Sequence, residues 1–150
     1  MGIRRLLIVL LAATLAGGPA SAKDLVVIVH PDRDEKLSRS EVAQIFLKRR
    51  RFWRNGEAIV PVNRNSVSPA RESFVRRIFG DEGRRLVVYW NRQYFQGVLP
   101  PATLASDEAV KRFVASEPLA IGYISPDRVD ASVRVVLRIG DSQGPISSGP

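Results

Sequence analysis

Residues 25 to 30, LVVIVH, form an unbroken, mostly β-branched run closed by Pro31 and Asp32, the pattern of a strand buried on both faces. After a loop, Ser38 and Glu41 stand at capping-box spacing, and Val42, Ile45 and Phe46 recur at helical intervals. A turn at Asn55 and Gly56 leads into an extended apolar segment from Ala58 to Val62. Phe74, Ile78 and Phe79 then make the apolar stripe of a helix that begins near Pro69 and stops at Gly80. The stretch DEGRRLVVYWNRQYFQG predicts a longer helix, acidic in its first turn. Its Val87, Trp90, Tyr94 and Phe95 fall close to one side, a stripe expected to face the core. Pro100 and Pro101 break the chain, and Ser106 caps a helix from Asp107 to Ala115. LAIGYIS and VRVVLRIG supply two further strands, and Gly122 in the first marks a point where another backbone is expected to come close.

Strands alternating with helices define an α/β domain with a mixed, mostly parallel sheet flanked by helices, and neither a repeat nor a second domain is visible. Ahead of it, MGIRRLLIVLLAATLAGGPASA sets two arginines before an apolar run and ends in Ala20, Ser21 and Ala22, the layout of a secretory signal peptide. Its apolar part, Leu6 to Ala16, falls short of the roughly 20 residues that span a bilayer. The expected organisation is a leader over 1–22, one domain over 23–140 and a disordered tail over 141–150, with the product exported to the periplasm. The chain has no cysteine, which excludes a disulfide framework and thiolate metal sites.

Charge narrows the partners. The chain carries 23 basic and 15 acidic residues, and only Arg4 and Arg5 of the basic set lie in the leader, so the domain itself is basic. That balance fits small anions or an anionic envelope surface, while export argues against a nucleic-acid partner. The loop from Lys48 to Arg54 interleaves cations with Phe52 and Trp53, whose rings are expected to pin the turn to the core. Enzymatic chemistry finds no support: His30 is the only histidine, it has no recognisable nucleophile or metal partner, and no carboxylate pair has a context that assigns acid and base. The reading is non-enzymatic, with no metal and no cofactor.

The densest chemistry lies in NRNSVSPARESF, residues 63–74. Ser68 is placed to cap a helix whose first residue is Pro69, and Arg64 and Arg71 flank the free amides of that helix start. Cations, hydroxyls and unpaired N–H groups together make an anion site, with Arg64, Ser66, Ser68 and Arg71 as the candidate ligand-binding residues. A capped helix start with no ligand, in which Arg71 pairs with Glu72 or Asp81 on the surface, accounts for the same residues.

From Leu25 to Ser125 the sequence resembles the phosphate-type substrate-binding proteins of ABC importers, and in particular their short, single-lobe relatives. The resemblance rests on an IF element followed by a turn and a tryptophan, an S-x-S helix start followed by phenylalanine, and a late AIGY strand, in that order. It implies the type II periplasmic-binding-protein fold, in which two lobes close on an oxyanion through helix N-terminal amides, hydroxyls and an arginine. On that pattern Arg64 takes the arginine place, Ser66 the serine, Val67 a glycine and Ser68 a threonine, while Lys48 stands where many relatives have glycine. A β-branched Val67 is expected to narrow the amide cradle that glycine leaves open. One lobe would also desolvate the anion poorly, so capture should be weak. The implied function is that of an exported solute-binding-like protein for phosphate or a related oxyanion, for or alongside an ABC transporter. The alternative is a periplasmic interaction module or self-dimerising lobe that has lost its ligand.

Overall fold

A computed structural model describes residues 24–140; the expected leader over 1–22 and tail over 141–150 lie outside the described residues. Five strands, β1 (Leu25–Val29), β2 (Val60–Arg64), β3 (Ala102–Leu104), β4 (Ala120–Ile124) and β5 (Arg134–Ile139), form one sheet in the order β3-β2-β4-β1-β5. β2 pairs in parallel with β3 and β4, whereas β1 runs antiparallel to both β4 and β5. All strands except β1 therefore share a direction, the mixed and mostly parallel sheet expected of an α/β domain.

Helices cover both faces. α1 (Arg39–Phe46) and α2 (Pro69–Phe79) lie over one, and α4 (Asp107–Ser116) over the other. β1 shows how the pleat divides the core: Leu25, Val27 and Val29 join Val42, Ile45, Phe46 and Phe74, while Val26 and Ile28 join Val110 and Val114. All five β1 residues are buried, as its apolar run predicts, each burial contributing about 1.5–3 kcal/mol. Tyr123 in β4 anchors the first cluster, its ring stacked on Phe74 at 3.9 Å and 4°. On the opposite face of β4, a Cβ on Gly122 would lie 2.5 Å from Val110 Cγ1 and 3.1 Å from Val62 Cγ2. The close approach at Gly122 is thus made by side chains, not by a backbone.

Local signals hold well at helix starts. Ser38 Oγ accepts the Glu41 N–H at 3.2 Å and the Ser38 N–H donates to Glu41 Oε2 at 2.8 Å, completing the capping box of α1. Ser106 Oγ accepts the Ala109 N–H at 3.0 Å at the start of α4. Lys48, in a glycine's place after the IF element, has φ 54°, and it alone of the described non-glycine residues has a positive φ.

Four further expectations are corrected. The extended segment expected at Ala58 to Val62 becomes a strand only from Val60, because Ala58 instead bridges Phe52 across the preceding turn. In that turn Trp53 is buried, but Phe52 is exposed, so one ring rather than two pins it. The long helix expected after Gly80 begins as a 3-10 segment, Gly80–Arg85, and becomes α-helical only as α3 (Leu86–Phe95). Its stripe does not face the core: no α3 residue is fully buried, and Val87, Tyr94 and Phe95 are exposed. α3 is held at the edge by the Tyr89 hydroxyl, which donates to the Leu47 carbonyl at 2.7 Å, and by Arg49, whose guanidinium lies 5.1 Å from the Tyr89 ring. No described helix is long and apolar enough to cross a membrane.

Candidate functional site

β2 ends at Arg64 and the chain turns through Asn65 to Ser68 into α2, so the site stands at the carboxyl end of a strand that is parallel to both its neighbours. Open α/β sheets present ligand crevices at such ends. Here a pocket of 330 Å³ gathers Asn63, Arg64, Ser66 and Arg71 on one side. The rest of the lining is mainly apolar, from Leu86, Val87 and Trp90 of α3 with Pro100 and Pro101 ahead of β3, and Asn91 and Thr103 are its polar members.

Beneath the polar side, the Tyr123 hydroxyl donates to Asn63 Oδ1 at 3.2 Å and accepts the Arg64 backbone N–H at 3.2 Å. Burial raises the pKa of this phenol, and the Arg64 N–H and the Arg71 guanidinium beside it partly offset that rise. Tyr123 therefore stays protonated and holds the floor of the site in place, with Arg71 drawn inward toward it rather than out to a surface carboxylate. Among the described ion pairs Glu72 meets Arg76 and Asp81 meets Arg84, which removes the surface pairing expected as an alternative for Arg71.

The Arg64 side chain is largely committed. Its Nη1 pairs with Asp107 at the start of α4, and Nη2 donates to the Ala105 carbonyl at 3.2 Å. The second Asp107 oxygen accepts the Ser125 N–H at 3.1 Å, so Arg64 and Asp107 together tie the ends of β2, β4 and α4 to one another. Arg64 Nε is buried without a partner among the described residues. The Arg64 charge is thus balanced by Asp107, and its main work is structural.

Ser68 is the N-cap of α2 by position, with Pro69 at the first helical residue, but its side chain makes no capping bond. The hydroxyl is buried, with no partner among the described residues, a state that is costly in an interior and invites an acceptor or donor from outside the chain. It does not line the pocket itself. Val67 is 87% exposed and its backbone avoids positive φ, so the valine neither fills the cradle nor strains it, contrary to expectation. Of the four nominated residues, then, Arg64, Ser66 and Arg71 meet in one pocket and Ser68 lies behind the turn. Sequence reasoning missed Asn63, Asp107, Trp90 and Tyr123 as parts of the site. The AIGY pattern that carries Tyr123 was the one available signal.

A larger cavity, 430 Å³, is lined by two arginines, Arg33 and Arg54, against four carboxylates, Asp32, Asp34, Glu35 and Glu57, a balance that disfavours an anion. Arg33 bonds Glu57 at 3.0 Å and covers the Trp53 ring at 4.3 Å, and His30 Nδ1 accepts the Asp32 N–H at 3.2 Å. No nucleophile adjoins that histidine, which orders a turn.

The α/β layer, with its pocket at a strand end and helix start, is matched in fold by solved structures. No protein-family model and no curated protein sequence matches the chain. An ABC-type phosphate transport receptor from Vibrio cholerae superposes with a TM-score of 0.61 at 20% identity, over 77% of this chain and 47% of that one. A phosphate-bound ABC transporter substrate-binding protein from Clostridium perfringens gives 0.59 at 24% identity, over 77% and 46%. PstS from Borrelia burgdorferi gives 0.60 at 17% identity, over 83% and 50%. The chain thus has a periplasmic-binding-protein fold in part, and spans about half the length of these neighbours.

Proposed function

We propose that this chain is an exported, non-enzymatic solute-binding lobe that takes phosphate or a related oxyanion at the start of α2, in the periplasm and alongside an ABC transporter. The observation that carries the reading is the single pocket that gathers Arg64, Ser66 and Arg71 beside a helix start. Helix N-terminal amides and Arg71 supply the positive potential that an oxyanion needs. The structural likeness to phosphate-binding proteins supports the ligand class. A leader over 1–22 and a domain over 23–140 complete the proposal.

Thermal unfolding with phosphate, against sulfate and chloride at matched ionic strength, tests it. Phosphate at ten times its dissociation constant should add about 1.4 kcal/mol of stability. Arg71→Gln should abolish that gain. Arg71 is the informative position, because Arg64→Gln would also strand Asp107 and lower stability for a separate reason. A phosphate-selective shift that survives in Arg71→Gln would remove this pocket from the reading.

A second reading, a lobe that contacts an envelope protein or a second copy of itself, is favoured by the uncovered apolar residues of α3. Light scattering that finds association in the absence of any anion would support it.

A further inference from the structure

We propose that the pocket is shaped for an oxyanion bearing an apolar substituent, such as an aryl or alkyl phosphate or phosphonate, in preference to inorganic phosphate. The proposal rests on the oxyanion reading of the same site and adds the class of ligand. Three observations carry it. At 330 Å³ the pocket falls in the range of organic-ligand sites, roughly 300–1,000 Å³, larger than a five-heavy-atom ion needs. Its lining is divided in chemistry: Arg64, Ser66 and Arg71 share it with a mainly apolar wall, Leu86, Val87, Trp90, Pro100 and Pro101, in which Asn91 and Thr103 are the polar members. Val87 is 71% exposed in the free protein, so the wall has apolar surface left to cover.

A tetrahedral oxyanion seated against Arg71 and Ser66 would direct any substituent across the pocket toward Trp90. An inorganic ion offers that wall only hydrated oxygens, and so leaves the apolar surface wet. A phenyl group would instead remove it from water, and in doing so would lower the local dielectric around the Arg71 contact. Covering about 60 Å² of apolar surface is enough for about a tenfold gain in affinity.

Isothermal titration of the wild-type chain with inorganic phosphate, phenyl phosphate and phenol tests the proposal, followed in parallel by tryptophan fluorescence. Phenyl phosphate should bind about tenfold more tightly than phosphate, phenol should not compete, and the fluorescence should respond to phenyl phosphate through Trp90. Val87→Asn, at an exposed position, should cut the preference severalfold, read as the ratio of the phosphate and phenyl phosphate dissociation constants within the same variant. Trp90→Ala should do the same more strongly. Equal affinity for the two anions would overturn the preference while leaving the oxyanion reading intact. So would a preference that persists in both variants. Phenol binding as tightly as phenyl phosphate would reduce the pocket to an apolar hole, and binding of none of the three would bring down both readings.

Discussion

Two serines at helix starts, Ser38 and Ser68, have opposite fates. Ser38 has Glu41 in range to reciprocate, and Arg50 Nη1 steadies that carboxylate at 2.8 Å. The Ser38 N–H, and then its hydroxyl, hold the Glu41 carboxyl below its ordinary pKa, with Arg50 adding to the effect. A depressed carboxyl contributes stability that is full above its unfolded pKa and is lost as pH falls through the folded one. Urea unfolding should therefore show stability declining as the pH drops below about 4.3, and Glu41→Gln should flatten part of that decline. Ser38→Ala should cost about 1 kcal/mol at neutral pH. At Ser68 the Ser68 carbonyl accepts the Glu72 N–H at 3.1 Å and Pro69 presets the first helical residue, so α2 starts without help from the hydroxyl, which is left over. The sequence shows that a polar group is present at a helix start; it does not show whether a local partner absorbs it. Arg64 repeats the lesson at longer range, since the carboxylate that claims it, Asp107, lies 43 residues away.

At the scale of elements, α3 separates what periodicity reports from what it does not. Val87, Trp90, Tyr94 and Phe95 do share a helix, but a stripe only groups residues on one side, and the partner that would cover that side must come from elsewhere. For α1 and α2 the sheet is that partner; for α3 no described element is, beyond the Tyr89 tether and the pocket edge. Substituting Val88 and Phe95, 62% and 88% exposed, by serine should leave the unfolding free energy from urea titration within about 0.5 kcal/mol of wild type. Phe74→Ala, under the stacked Tyr123 ring, should cost about 3–5 kcal/mol. A large loss from the α3 pair would mean that it packs far more tightly than its exposure implies. Strand identity was legible wherever a run was both apolar and β-branched, as in β1 and β4. The three-residue β3 was not, because Ala102, Thr103 and Leu104 carry no alternation to read. The direction of β1 was also hidden: an apolar run says that a strand is buried on both faces, and nothing about which way it runs.

The described residues form one lobe, about half the length of the solved proteins it superposes on. The polar side of the pocket is backed by a well-packed core through Tyr123, while α3, which forms the apolar side, stays exposed and the mouth is open to solvent. Water therefore competes for Arg71 and Ser66 throughout binding, and salt screens the charge attraction over about 10 Å at 0.1 M and about 3 Å at 1 M. The basic excess, 21 against 15 once Arg4 and Arg5 of the leader are set aside, assists encounter with an anion but is screened in the same way. Phosphate should accordingly bind with a dissociation constant on the order of 1 mM at low salt, about 4 kcal/mol of binding free energy, and several-fold more weakly in 0.5 M sodium chloride. Calorimetric titration at the two salt concentrations measures both. Micromolar affinity that ignores salt would show an anion enclosed on all sides, which a single lobe cannot do; light scattering in the presence of phosphate would then have to reveal a second copy closing over the pocket. Weak, salt-sensitive binding at constant monomer mass is the outcome that an open, one-sided site dictates.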